Sequence, residues 1–230
     1  MLQKIKELKN LKAGVYFVEK IPKYISQFAS REFVSDMLDN RLLVEKDSKW
    51  KNFGFSTIEE YGFWAFRLCG IVCIKMAMLG LEIDNSPNIV SLTKKAIELG
   101  GYIVNDCNGK FIDKGWFYAP LVELVKEYGL TGGVFDPITE ENLYKNVLSN
   151  VFSIVSVNPG VIRFDFEKCG SKGGHLILVL GFKWNGKNCE GIYIHNPSGR
   201  KVETQEKVYI PLKIFNEAFA GRGFIIKKLI

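Results

Sequence analysis

The chain has 230 residues, of which 47% are apolar and 24% charged; 31 Lys and Arg against 25 Asp and Glu give a formal charge of +6. That length buries a core, and the composition excludes a disordered chain, a collagen-like chain and a disulfide-framework miniprotein. The basic excess is mild and aromatic residues do not alternate with basic ones, so no nucleic-acid partner is expected.

Residues 1–12 place Leu2, Ile5, Leu8 and Leu11 among lysines. The spacing predicts an amphipathic helix rather than a secretory signal, and such a helix packs on the core or lies on a lipid surface. From Cys69 to about Ser149 the patterns are helical. Helices are predicted at 69–79, at 91–99 before Gly100-Gly101, at 119–128 before Gly129, and at 140–148 behind Thr139 as N-cap. The period then changes. Strands are predicted at 151–157, 161–166, 175–184 and 190–195, the last two joined by the Asn185-Gly186 turn signal. A helix at 211–219 and a final strand at 223–229 complete the chain. Helices first and an antiparallel sheet second predict an α+β fold. The segmentation is 1–68 as N-terminal segment and insertion, 69–150 as helical lobe and 151–230 as antiparallel β lobe, all within one domain. The longest apolar stretch, 71–83, is interrupted by Lys75 and Glu82 and is too short to span a bilayer, so no transmembrane segment is expected. Five cysteines, at 69, 73, 107, 169 and 189, make an odd count with no export signal, which predicts a cytoplasmic protein with reduced thiols.

The chemical inventory is narrow. The histidines are His175 and His195, and no HExxH, CxxC, GxGxxG or GxxxxGK[ST] occurs. No cofactor or metal is expected. One constellation remains. Cys69-Gly70 opens an apolar helix, whose free N–H groups and dipole favour a thiolate, so an unusually acidic sulfur is expected. His175 follows Gly173-Gly174 and starts a strand; an imidazole there takes the thiol proton and returns it to a leaving amine. Asn196, before Pro197, ends the paired strand and would orient the ring. Counting from the 185–187 turn, 175 and 196 lie at the same end of one hairpin. The plain readings stand beside this: a helical cysteine is commonly a small buried hydrophobe, a lone histidine a satisfied core residue, and Asn-Pro-Ser-Gly an ordinary turn. Cys73 is the alternative nucleophile should Cys69 be buried. His195 and Asn196 point to opposite faces, so only one of them meets the site.

At these residues the chain resembles the papain-like double-glycine peptidases that process bacteriocin leader peptides, and their stand-alone bacterial relatives. The resemblance lies in Leu68-Cys69-Gly70-Ile71, Lys114-Gly115-Trp116, residues 153–158, Gly173-Gly174-His175 with the apolar run to Gly181, and Ile194-His195-Asn196-Pro197-Ser198-Gly199. It implies a papain-like fold with Cys69 as nucleophile, His175 as general base and acid, and Asn196, where the family commonly has Asp, as orienter. Relatives carry an oxyanion-hole Gln six residues before the Cys, where this chain has Phe63. Ile21-Pro22-Lys23-Tyr24-Ile25-Ser26-Gln27 resembles a segment that supplies it in stand-alone relatives. Gln27 is therefore the expected oxyanion donor, with 28–68 as an insertion whose Trp50, Tyr61 and Trp64 would cover the cleft. The expected activity is hydrolysis of a peptide bond through a thioester, on a peptide or protein substrate. The alternatives are a silent family member that binds a peptide or protein, and an acyl or amide transferase using the same triad. Nothing in the sequence sets an oligomeric state.

Overall fold

The computed structural model describes residues 8–83, 85–105, 109–110, 112–162 and 172–229. The expected helix at 1–12 lies mostly outside these residues; its end is a 3-10 turn, Leu8–Asn10, followed by buried Leu11. Cys107 and Cys169 also lie outside them.

In chain order, strand β1 (Gly14–Phe17) precedes helices α1 (Val34–Asp39), α2 (Ile58–Ala65), α3 (Cys69–Gly80), α4 (Ile89–Glu98) and α5 (Tyr118–Lys126). Strand β2 (Leu130–Phe135), α6 (Glu140–Leu148), β3 (Phe152–Val157), β4 (His175–Trp184), β5 (Cys189–His195), β6 (Val208–Pro211), α7 (Leu212–Ala218) and β7 (Phe219–Lys228) follow. Among the described residues, the strands form one antiparallel sheet in the order β2-β7-β3-β4-β5-β6, with β1 alongside the second half of β4. The expected α+β class, helices before an antiparallel sheet, is the one observed.

Local chemistry explains the ends of the predicted helices. Thr139 Oγ1 accepts from the Asn142 N–H at the start of α6. Gly100 and Gly129, after α4 and α5, take positive φ as helix-ending residues do. Helix α3 is apolar on nearly every face because it packs on β3 and β4 while α4 lies against it. Its Lys75 runs to the edge, where Nζ donates to the Ser86 and Pro87 carbonyls at 2.8 and 2.7 Å.

Three readings are corrected. The 69–150 stretch is not wholly helical: β2 pairs with β7 from Leu130↔Lys228 to Phe135↔Gly223. At Gly132 a Cβ would come within 2.2 Å of the Ile225 carbonyl, so glycine serves close strand approach there. Residues 161–162 belong to a 3-10 turn, Pro159–Ile162, rather than to a strand, and 163–166 lie outside the described residues. In the 28–68 segment Tyr61 and Trp64 are core rather than cover, buried with Val34, Met37 and Phe53 in the main hydrophobic cluster, while Phe66 and Arg67 line the cavity described below. Buried Asp47 ties the segment together, accepting from the Ser30 hydroxyl, the Ser30 N–H and the Tyr61 hydroxyl. No described helix is by itself long and apolar enough to cross a membrane.

Candidate active site

The β4–β5 hairpin turns at 185–188, where the Asn185 side chain accepts from the N–H groups of Lys187 and Asn188. Its register, Leu178↔His195, carries Asn196 beyond the strand end toward His175. His175 Nε2 meets Asn196 Oδ1 at 2.7 Å. The Ser198 N–H also donates to that oxygen, at 3.2 Å. A backbone donor facing the same atom makes it the amide oxygen, so Nε2 of His175 carries the hydrogen and Nδ1 holds the lone pair. Ser198 Oγ, 3.2 Å from Nε2, stands as a second polar neighbour. Burial lowers the pKa of His175 below the usual 6.5, against the opposing pull of the Asn196 bond, so the ring is neutral.

His195 has the other fate expected from strand alternation. Its Nδ1 accepts from the Lys207 N–H and its Nε2 donates to the Pro22 carbonyl, both at 3.0 Å. With both nitrogens committed to backbone, it is a structural residue.

Cys69 begins α3, half-buried, and lines a cavity of about 430 Å³ together with His175, Leu176, Trp116, Lys114 and Arg222. Gly70 lets the helix start sit tight against the opposing wall, since a Cβ there would lie 3.0 Å from Leu176 and 3.1 Å from Trp116. The Trp116 indole N–H donates to the Arg67 carbonyl at 2.6 Å, which anchors that wall to the turn before α3. Beside it, the Asp113 carboxylate accepts from Arg67 at 2.9 Å and from the Tyr102 hydroxyl. Cys73, one turn on, is fully buried, and its Sγ lies 3.7 Å from the Leu176 carbonyl; it does not line the cavity. Of the two candidate thiols, only Cys69 is within a ligand's reach.

The expected acidic sulfur is not what these surroundings produce. Burial raises the Cys69 thiol above its ordinary pKa, and the negative charge of Asp113 adds to this. Backbone N–H groups at Leu176, Gly70 and Cys69 itself oppose the rise without cancelling it. The resting pair is therefore a neutral thiol and a neutral imidazole.

Gln27 is buried and bonds to the loop that follows Asn196. Its N–H donates to the Pro197 carbonyl at 2.9 Å, and the Tyr24 hydroxyl donates to the Asn196 carbonyl at 2.8 Å. It does not line the cavity, and its Oε1 finds no hydrogen-bond partner among the described residues. The structure thus joins Asn196 to His175, puts Cys69 and His175 on one cavity, and ties the Gln27 N–H to the Pro197 carbonyl. Sequence reasoning missed Tyr24, Ser198 and Arg222. Ser198 was hidden in an apparently ordinary turn, and Tyr24 sits within the segment read only for Gln27. Arg222 carries no local signal.

Residues 49–225 match the model of the Peptidase_C39 like family, and the chain belongs to that family. The matched span contains Cys69, His175 and Asn196, and Gln27 precedes it. A search of curated proteins finds no match. Among solved structures, the chain is similar to a double glycine motif protease from an AMS/PCAT transporter in complex with the leader peptide, at 17% identity and TM-score 0.45, covering 70% of this chain and 84% of that one. It is also similar to a putative C39-like peptidase from Bacillus anthracis, at 16% identity and TM-score 0.49, covering 71% and 90%. A third is the peptidase domain of Streptococcus ComA, a bi-functional ABC transporter involved in a quorum sensing pathway, at 15% identity and TM-score 0.46, covering 71% and 93%.

Proposed function

We propose that this chain is a cysteine peptidase that cleaves a peptide bond through a thioester on Cys69. The observation that carries the reading is one cavity lined by a reachable thiol and by a neutral imidazole whose Nε2–H is committed to Asn196. With Nε2 so held, Nδ1 is the free base. As Sγ attacks the substrate carbonyl carbon, the thiol proton passes to Nδ1 and negative charge collects on the carbonyl oxygen. The Cys69 N–H at the helix start donates to that oxygen, and the Gln27 amide, which does not line the cavity as the structure stands, becomes the second donor once it turns toward the thiol. No hydrogen bond to Gln27 Oε1 opposes a turn of that amide toward the thiol. His175 then gives its proton to the leaving amine as the C–N bond breaks. Water, deprotonated by His175, attacks the thioester and releases the carboxylic acid and the thiol.

A second reading, a family member that holds a peptide without cutting it, is favoured by the thiol that burial keeps protonated. The two separate on one experiment. A peptide mixture is incubated with the protein and with Cys69→Ala, and products are read by mass spectrometry. Under the peptidase reading the wild type cuts, and the variant loses at least ~10³-fold in rate with its melting temperature nearly unchanged. Cleavage that survives in Cys69→Ala rules out this nucleophile. Peptide binding with no cleavage in either protein supports the second reading.

A further inference from the structure

The β3–β7 ladder slips beside the cavity. Val155 pairs with Gly223, but Val157 pairs with Phe219, so 220–222 face the single residue Ser156. Extra residues in one strand bend it and re-aim its side chains. Here Gly221 takes φ +68°, and its carbonyl accepts from the Ile138 N–H at 2.8 Å, which pins the bulge. Arg222, the last residue of the bulge, is exposed and lines the cavity that Cys69 and His175 share. Its guanidinium lies over Gly173, where a Cβ would meet Nη2 at 2.6 Å. Gly173 itself has φ +111°, a backbone conformation that favours glycine.

Charge in the cavity is unbalanced. Arg67 and Asp113 pair with each other. Lys114 and Arg222 form no ion pair or hydrogen bond with other described residues. A guanidinium fork that lines the same cavity as the thiol and has no partner among the described residues matches the two oxygens of a carboxylate.

We propose that Arg222, with Lys114, is a specificity-determining element that reads a carboxylate on the substrate peptide close to the bond being cut; this rests on the peptidase reading for the word substrate, but not for the recognition itself. The test therefore begins without turnover. Cys69 is alkylated with iodoacetate, which carries a carboxylate, and with neutral iodoacetamide, and the labelled Cys69 peptide is quantified by mass spectrometry. Both reagents need the same thiolate, so the ratio of their rates cancels any change in thiol acidity and leaves the charge of the reagent. The ratio is expected to fall about three- to tenfold in Arg222→Gln, to fall further with Lys114→Gln added, and to fall less in Arg222→Lys, which keeps the charge and loses the fork. Salt at 0.5 M should lower the wild-type ratio toward that of Arg222→Gln. An unchanged ratio in Arg222→Gln overturns the proposal.

The second arm uses peptide pairs carrying Asp or Asn beside the cut, and pairs with a free or an amidated C-terminus. A preference for Asp that Arg222→Gln abolishes assigns the carboxylate to a side chain; a preference for the free terminus assigns it to the chain end. Cleavage indifferent to both pairs overturns the substrate assignment. If no peptide is cut at all, the peptidase reading fails, and the alkylation ratio alone still decides whether Arg222 recognises a carboxylate.

Discussion

His175 and His195 show what one residue type becomes in two settings. His195 spends both ring nitrogens on backbone groups, at Lys207 and Pro22. His175 spends one, and its Nδ1 stays available. Burial lowers the pKa of both. For His175 this sets the acid limb of the proposed reaction. Only the neutral ring takes the thiol proton, and the folded-state pKa lies below the ordinary 6.5, so the base survives to more acidic pH than a free histidine would allow. The expected outcome is a kcat/KM whose acid limb has its midpoint below pH 6.5, since this ratio reports groups of the free enzyme. In parallel, iodoacetamide labelling of Cys69 should still be rising at pH 9, because burial lifts that thiol above 9.0. A thiol that labels fully at pH 6, with a kcat/KM that falls as the pH is raised and the imidazolium deprotonates, would instead mean a thiolate–imidazolium pair.

At the scale of elements, α3 is the piece on which the site depends, and two glycines set its seat. Gly70 lets its first turn approach Leu176 and Trp116. Gly80, at its other end, lies where a Cβ would be 2.4 Å from the Phe152 ring of β3 and 3.2 Å from the Lys20 carbonyl. Phe152 is fully buried, so its ring has nowhere to go. Alanine is the better helix former by up to ~1 kcal/mol, but overpacking costs about 1–3 kcal/mol. Gly80→Ala is therefore expected to be net destabilising, by about 1–2 kcal/mol, seen as a melting temperature lower by roughly 2–8 °C. A rise in melting temperature would show that the α3–β3 contact is looser than its geometry. The spans of α3 to α6 and the β4–β5 hairpin were legible in the sequence because each carries a local signal: an unbroken apolar run in α3, helical spacing closed by glycine in α4 and α5, a Thr139 cap in α6 and the Asn185-Gly186 turn in the hairpin. β1, β2 and β6 were not: they are short, and β2 hides a glycine pair whose purpose is set by Ile225 across the sheet.

Across the whole molecule, residues 24–31 act as a strap over the loop that carries Asn196. Tyr24 donates to the Asn196 carbonyl, Ser26 and the Gln27 N–H to the Pro197 carbonyl, and Arg31 to Gln205, whose own amide returns a bond to the Arg31 carbonyl. Gln205 closes the circuit by accepting the Asn196 N–H on its backbone oxygen. Tyr24→Phe removes one of the two donors to the buried Asn196 carbonyl, which keeps the Gly199 N–H at 3.3 Å, and costs about 0.5–1.5 kcal/mol. The variant is expected to melt lower and, because Asn196 orients His175, to lose kcat more than it changes KM; unaltered kcat would confine the strap to stability. The sequence by itself determined the α+β class, the helices with strong local signals and, through the family resemblance, the three residue types at 69, 175 and 196, because caps, periodicity and a hairpin turn are written within a few residues of where they act. Only the tertiary structure decided that Cys69 and not Cys73 faces the cavity, that the thiol rests protonated, that Tyr61 and Trp64 of the 28–68 segment are core, and that a bulge carries Arg222 to the same cavity. Those follow from burial, register and desolvation, which depend on contacts between residues far apart in the chain.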